Sequence, residues 1–230
     1  MPRHFALVPA AGTGSRVGGE RPKQYQLLAG RPMLSHPLEA LCAAQRIQRV
    51  FVVLAETDAT WERFSWSGLG PKLAVLRCGG ATRAESVANG LAAVSELVAP
   101  DDWMLVHDAA RPCLSLDLLE LLLDRVGEDA VGGLLAVPVS DTLKLAGEDG
   151  RIDATVPRER LWRAQTPQMF RFGLLREALA RNPAVTDEAS AVEALGQRPL
   201  LVPSERDNLK VTWPADLALA ERILRQRQAA

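Results

Sequence analysis

Short apolar runs alternate with helix-periodic segments along most of this chain. Phe5–Pro9 reads as a strand, and Met33–Ala44 as a helix opened by Pro32. Arg49–Ala55 (RVFVVLA) is a second strand, whose unbroken apolar run predicts burial on both faces, and Leu73–Leu76 is a third. Glu85–Val98 carries a helical apolar stripe, Trp103–His107 is a strand, and Leu116–Val126 is a leucine-rich helix. Val131–Val137 is another buried strand, Leu200–Pro203 a short one, and Pro214–Arg225 a closing helix with proline in its first turn. Continuous apolar strands alternating with helices predict an α/β fold, a mostly parallel sheet covered on both faces.

Residues 139–157 break this rhythm. Leu143 and Leu145 alternate with polar residues, Gly147-Glu148-Asp149-Gly150 is turn chemistry, and Ile152, Ala154 and Val156 alternate again. This predicts an inserted β-hairpin. The expected organisation is therefore a core of residues 1–137 and 159–230 with a β-arm at 138–158. A lone hairpin with one apolar stripe is marginal in water, so the stripe needs a cover. Either a partner subunit or the hairpin's own domain could supply it.

Composition narrows the class. The 230 residues are 47% hydrophobic and 24% charged, with a net charge of −1. This is ordinary for a water-soluble domain and carries no basic excess of the kind that marks nucleic-acid binding. The apolar runs are too short to span a bilayer, so no membrane association is expected. Cys42, Cys78 and Cys113 are scattered, and the first residues show no signal-peptide pattern. Together these predict a reducing, cytoplasmic setting without disulfides or a zinc site.

The candidate chemistry begins where the first strand ends, in ALVPAAGTGSRVGGERPKQYQLL, residues 6–28. A strand running into a glycine-rich loop suggests phosphate. A Walker A loop would need a glycine followed by lysine, which is absent here. A dinucleotide fingerprint would need a third glycine where Val17 stands, and an acidic residue about 20 positions on that is also missing. That argues against a nicotinamide dehydrogenase. The remaining option is a loop that cradles a triphosphate with the N–H groups of Ala10, Ala11, Gly12, Thr13 and Gly14, while Arg16 and Lys23 bring charge. A plain glycine-rich turn with solvated cations is the alternative, as is a nucleotide-binding scaffold without catalysis. Asp108 follows the carboxyl end of a strand, where open α/β sheets bind ligands. It could hold Mg²⁺ there, cap a helix or pair with Arg111.

The stretch from Pro9 to Arg16, followed by Pro22-Lys23-Gln24, resembles the nucleotide loop of the sugar-phosphate nucleotidyltransferases. Further blocks narrow the resemblance: Gly79-Gly80 with Arg83 and Ser86; Val106 to Pro112; Asp141-Thr142; Gln165-Thr166-Pro167-Gln168; Thr186 to Ser190; and Asp207 to Thr212. In this order, over roughly residues 5–225, the chain is similar to the 2-C-methyl-D-erythritol 4-phosphate cytidylyltransferases. The resemblance implies a Rossmann-like nucleotidyltransferase fold, a homodimer through the β-arm, and CTP, a methylerythritol phosphate and Mg²⁺ as ligands. A cytidylyltransferase acting on another polyol phosphate, such as ribitol 5-phosphate, is the close alternative.

Such a reaction needs no general base, because the attacking phosphate is already largely ionised, its second pKa being about 6. Catalysis then rests on positioning, metal and cations, which suits a chain with three histidines. Arg16 and Lys23 are the expected catalytic cations on the triphosphate. By resemblance, Ala10, Ala11, Gly80 and Ser86 surround the base, Lys210 contacts the methylerythritol phosphate, and Arg158 and Thr142 reach the partner subunit's substrate; Lys210 and Arg158 are counted with Arg16 and Lys23 as catalytic residues. Pro9, Arg83, Ala109 and Arg111 join the substrate-binding set by resemblance. Thr186 is expected to cap a helix and to bind phosphate there. Asp207, which alone would read as an Asx turn, is by resemblance the second metal carboxylate beside Asp108.

Overall fold

The computed structural model describes residues 2–12 and 22–228. In chain order the elements are β1 (His4–Pro9), β2 (Leu27–Leu28), β3 (Arg31–Pro32), α1 (Ser35–Ala43), β4 (Ile47–Val53), β5 (Leu73–Leu76) and α2 (Arg83–Ala93). Then come β6 (Trp103–Val106), α3 (Leu116–Val126), β7 (Gly132–Pro138), β8 (Leu143–Ala146), β9 (Ile152–Val156) and β10 (Trp162–Arg171). The chain ends with α4 (Phe172–Arg181), α5 (Glu188–Glu193), β11 (Leu200–Pro203) and α6 (Pro214–Gln228).

Seven strands form one sheet in the order β11-β7-β10-β6-β1-β4-β5. The ladders are parallel except where β10 runs antiparallel between β6 and β7. Alternate side chains of β1 feed opposite layers, as the two-residue strand period requires. Ala6 and Val8 join Leu38, Leu41, Leu119 and Leu122 on the α1/α3 side. Phe5 and Leu7 join Val87, Leu91, Leu175 and Leu179 on the α2/α4 side. Helix α2 lies close to the sheet because Gly90 has no side chain: a Cβ there would come within 2.7 Å of both Leu7 and Val53. A third cluster, with Met33, Cys113, Val211 and Ile223, seats α6 near the site.

Several expectations shift in detail. Helix α2 ends at Ala93 rather than Val98, yet Val94 and Val98 stay buried in the turn that follows. Strand β4 begins at Ile47, and its Gln48 and Arg49 face solvent. The expected hairpin is β8–β9, with Leu143 opposite Val156 and Leu145 opposite Ala154. Its apolar stripe is uncovered in the single chain: Leu145 is 56% and Ile152 65% exposed.

Candidate active site

The strand order places the carboxyl ends of β1 and β6 side by side, and a cleft opens above them. Its lining includes Pro9, Ala10, Ala11, Gly12, Lys23, Gly80, Arg83, Ser86, Asp108, Ala109 and Lys210. Residues far apart in sequence thus meet where parallel sheets bind ligands. Thr13, Gly14 and Arg16 lie outside the described residues.

The backbone after β1 is fixed first. The Ala10 N–H donates to the Val53 carbonyl at 2.8 Å, and the buried Gln24 amide donates to the Ala10 carbonyl at 2.7 Å. Gly79 lies so close beneath this turn that a Cβ would sit 2.2 Å from that of Ala11. The Gly79-Gly80 step therefore lets two loops converge, which a side chain would prevent. Ser86 is buried in α2, donates to the Thr82 carbonyl at 2.9 Å and accepts from the Gly80 N–H at 3.1 Å. It pins the glycine loop to its helix. That helix opens with a capping box, in which Thr82 accepts from the Glu85 N–H and Glu85 accepts from the Thr82 N–H.

Charge is concentrated on the other wall. Arg83 Nε donates to the Asp108 carboxylate at 2.7 Å, and its two terminal nitrogens donate to Glu188 at 2.7 and 3.0 Å. Lys210 Nζ meets Asp108 at 2.8 Å, and Arg111 stands 3.9 Å away. Burial works against the charge on Asp108, but Arg83 and Lys210 outweigh it and hold the carboxyl well below the usual carboxylate range. Burial also disfavours the charge on Arg83. Glu188 and then Asp108 outweigh that, and its pKa ends above the ordinary arginine value. Lys23 reaches across the cleft and donates to the Val211 carbonyl.

Behind this wall sits a polar seam from β10, which sequence patterning missed. Thr166 Oγ1 accepts the Asp108 N–H at 3.0 Å and lies 3.0 Å from His107 Nδ1. His107 Nε2 lies 3.1 Å from the Arg111 carbonyl, which can only accept, so Nε2 carries the proton and Nδ1 accepts from Thr166. Burial keeps this imidazole neutral, its pKa lowered to about 4. Gln165 Oε1 accepts from Ser204 and Asn208 at 2.6 and 3.1 Å, tying the chain before Lys210 to β10. Arg111 donates to the Asn208 and Ala164 carbonyls. Its guanidinium thus braces that segment and is not among the residues lining the cleft.

The remaining predicted residues lie elsewhere. Thr186 does not line the cleft and does not cap α5. Asp187 does so, accepting the Ser190 N–H at 3.0 Å in a capping box, because its carboxylate is one residue nearer the first turn. Thr142 and Arg158 stand at the foot of the hairpin, outside the cleft, with Arg158 donating to the Ser140 carbonyl. Asp207 is exposed and faces Arg227 at 4.0 Å, so the single chain does not bring it to the cleft beside Asp108.

A hard divalent ion is suited by one or two carboxylates together with phosphate oxygens. The donors present fit that pattern through Asp108, whose carboxylate stays charged and lines the cleft. Among the described residues, no group of three or more His, Cys, Asp or Glu could enclose a metal unaided.

A parallel-sheet cleft with a glycine-bearing loop on one side and a cation-flanked carboxylate on the other defines a nucleotidyltransferase. The family model of 2-C-methyl-D-erythritol 4-phosphate cytidylyltransferase, IspD, matches residues 4–226. The chain belongs to that family. It is 61% identical to the cytidylyltransferase of Dechloromonas aromatica (strain RCB) over 99% of this chain and 100% of that one. It is 59% identical to the corresponding protein of Aromatoleum aromaticum, over 99% of this chain and 97% of that one. A crystal structure of 4-diphosphocytidyl-2C-methyl-D-erythritol synthase superposes with a TM-score of 0.86 at 42% identity, covering 97% of this chain and 100% of that one. That of the Thermus thermophilus cytidylyltransferase gives 0.79 at 34% identity, covering 98% and 100%.

Proposed function

We infer that this chain transfers the cytidylyl group of CTP to 2-C-methyl-D-erythritol 4-phosphate, releasing pyrophosphate and forming 4-diphosphocytidyl-2-C-methyl-D-erythritol. One observation carries the reading: full-length family membership coincides with a strand-end cleft lined by Lys23, Arg83, Lys210 and the charged Asp108. The attacking group is a phosphate oxygen, ionised at neutral pH, so the chain need not remove a proton. What it must do is bring two anions together and hold the charge that builds on the α-phosphate and the departing pyrophosphate. Lys23, with Arg16, serves the triphosphate. Lys210 serves the incoming phosphate, held at its post by Asp108. The backbone at Ala10, Ala11 and Gly80, with Ser86 behind it, forms a close-fitting wall for the base.

Mg²⁺ is the proposed metal, with Asp108 as its protein ligand; it would neutralise phosphate charge and order the triphosphate. The family-derived role of Asp207 as a second ligand requires that its loop turn from Arg227 towards the cleft.

The working form is proposed to be a homodimer that exchanges β-arms. Two features support this: the arm's apolar stripe, on which Leu145 and Ile152 are exposed, and the position of Thr142 and Arg158 outside their own cleft. Among the described residues no helix is long and apolar enough to cross a membrane, and the three cysteines are free. A cytoplasmic location is proposed from the scattered, free cysteines, which suit a reducing compartment.

The test is pyrophosphate release from CTP and Mg²⁺ across a panel of sugar-alcohol phosphates. Methylerythritol phosphate should be turned over far faster than ribitol 5-phosphate. Faster turnover of another polyol phosphate, or none with methylerythritol phosphate, would overturn the assignment.

A further inference from the structure

Glu188 is 1% exposed and does not line the cleft, yet it grips a residue that does. Its two oxygens take both terminal nitrogens of Arg83, at 2.7 and 3.0 Å, in a bidentate fork. Arg83 Nε is thereby aimed sideways at Asp108, whose other oxygen holds Lys210. The side chains form a line of alternating charge: Glu188, Arg83, Asp108, Lys210. It runs from the start of α5, through the first residue of α2 and the end of β6, to a lysine at the cleft.

Each anchor of this line is itself held. Gln168 on β10 brackets Glu188 in sequence, donating to Asp187 at 2.9 Å and accepting the Ala189 N–H at 2.7 Å. Thr82 caps the helix that begins with Arg83. Thr166 holds the backbone of Asp108. A carboxylate buried this deeply is costly unless paired, and a buried ion pair often adds little net stability over an apolar substitute. What a fork of this kind supplies is a fixed direction. Without it, Arg83 would be free to turn its terminal nitrogens onto Asp108 and compete with Lys210 for the carboxylate.

We propose that Glu188 is a positioning residue for cytidylyl transfer, orienting Arg83 so that Asp108 stays available to Lys210 and to the substrates. This rests on the reading of the activity given above. A residue that acts through another behaves like the outer partners of metal ligands, whose loss costs about tenfold to a hundredfold in activity or affinity.

The experiment compares wild type, Glu188→Gln, Arg83→Lys and the double variant, measuring kcat and KM for both substrates. Glu188→Gln should lose about tenfold or more in kcat, with a smaller change in KM for CTP. In the Arg83→Lys background, where the fork is already gone, the same change should cost much less. An equal loss in both backgrounds, or a loss confined to thermal stability, would overturn the proposal. If Glu188→Gln does not fold, Glu188→Asp serves. It keeps the charge but retracts the carboxylate by one methylene, and unchanged kcat there would overturn the proposal.

The wild-type assay separately tests the activity. Should wild type not turn over methylerythritol phosphate, the functional reading fails, and the clamp is then judged by nuclear magnetic resonance of arginine Nε–H groups. A slowly exchanging Arg83 signal, lost in Glu188→Gln, supports the clamp, and an identical signal in both overturns it.

Discussion

Lys210 meets Asp108 at 2.8 Å, the lysine from the loop before α6 and the aspartate from the end of β6. The lysine is half exposed while the carboxylate is buried, so the pair is a hinge between the protein's interior charge and the cleft. Asp108 also takes Arg83 on its other oxygen. One carboxylate therefore sets the positions of two cations.

Replacing Asp108 by Asn keeps the shape and removes the charge that Arg83 and Lys210 share. Breaking one side of a buried ion pair costs about 3 kcal/mol, and denaturant unfolding should show a loss of that order. The Mg²⁺ titration of activity should move to higher concentration. An unchanged titration with reduced stability would make Asp108 an anchor for cations and not a metal ligand.

Lys23→Ala should lower turnover more than CTP affinity, by on the order of a hundredfold, as contacts made chiefly in the transition state do. Lys23 bridges the cleft to the Val211 carbonyl, so the variant also loosens that crossing. Steady-state kinetics separate the effects. A rise in KM for CTP with kcat intact would assign Lys23 to ground-state binding alone.

The pH dependence of stability has a definite sign. The His107 pKa is lowered to about 4 by burial, only partly offset by its bond to the Arg111 carbonyl. A folded-state value below the unfolded one means the unfolded chain takes up the proton first. The contribution is therefore complete above about pH 6.5 and is lost as pH falls towards 4, by about 3 kcal/mol. Burial lowers His4 and His36 in the same direction, so wild type should lose stability steeply across this window. Subtracting the unfolding curve of His107→Gln isolates one histidine, and a wild-type curve no steeper than the variant's would show His107 to be charged in the fold.

The parallel half of this fold is plain in the sequence because β1, β4, β6 and β7 are apolar runs buried on both faces. Strand β10 is not, although it sits in the middle of the sheet. Its centre, Gln165-Thr166-Pro167-Gln168, has no strand periodicity: three polar residues and a proline, where the β7 ladder also slips register. These side chains are buried and hydrogen-bonded to other segments, a role that leaves no periodic trace. Glu188 is hidden for a related reason. A glutamate in the first turn of a short helix looks solvated, and only the arrival of Arg83 from the start of α2 makes it an interior group. The motif blocks located Asp108, Lys23 and Lys210 in the cleft, whereas the helix cap fell on Asp187 and not Thr186, a one-residue difference that neighbouring hydroxyl and carboxylate caps make hard to read.

The uncovered arm and the displaced Arg158 make a further prediction about assembly. If arms are exchanged, each site combines the core of one chain with Arg158 of the other. Lys23→Ala and Arg158→Ala should each be nearly inactive alone. Co-refolded in equal amounts with random pairing, about half of the dimers are mixed, by the two-fold symmetry of an isologous pair. In a mixed dimer one site unites the intact core of the Arg158→Ala chain with the intact arm of the Lys23→Ala chain. The other site lacks both residues. Activity should return to about a quarter of wild type. If Arg158 served its own chain, every site would lack one residue, and mixed dimers would stay inactive. Verified mixed dimers without recovered activity would therefore rule out the exchanged arm.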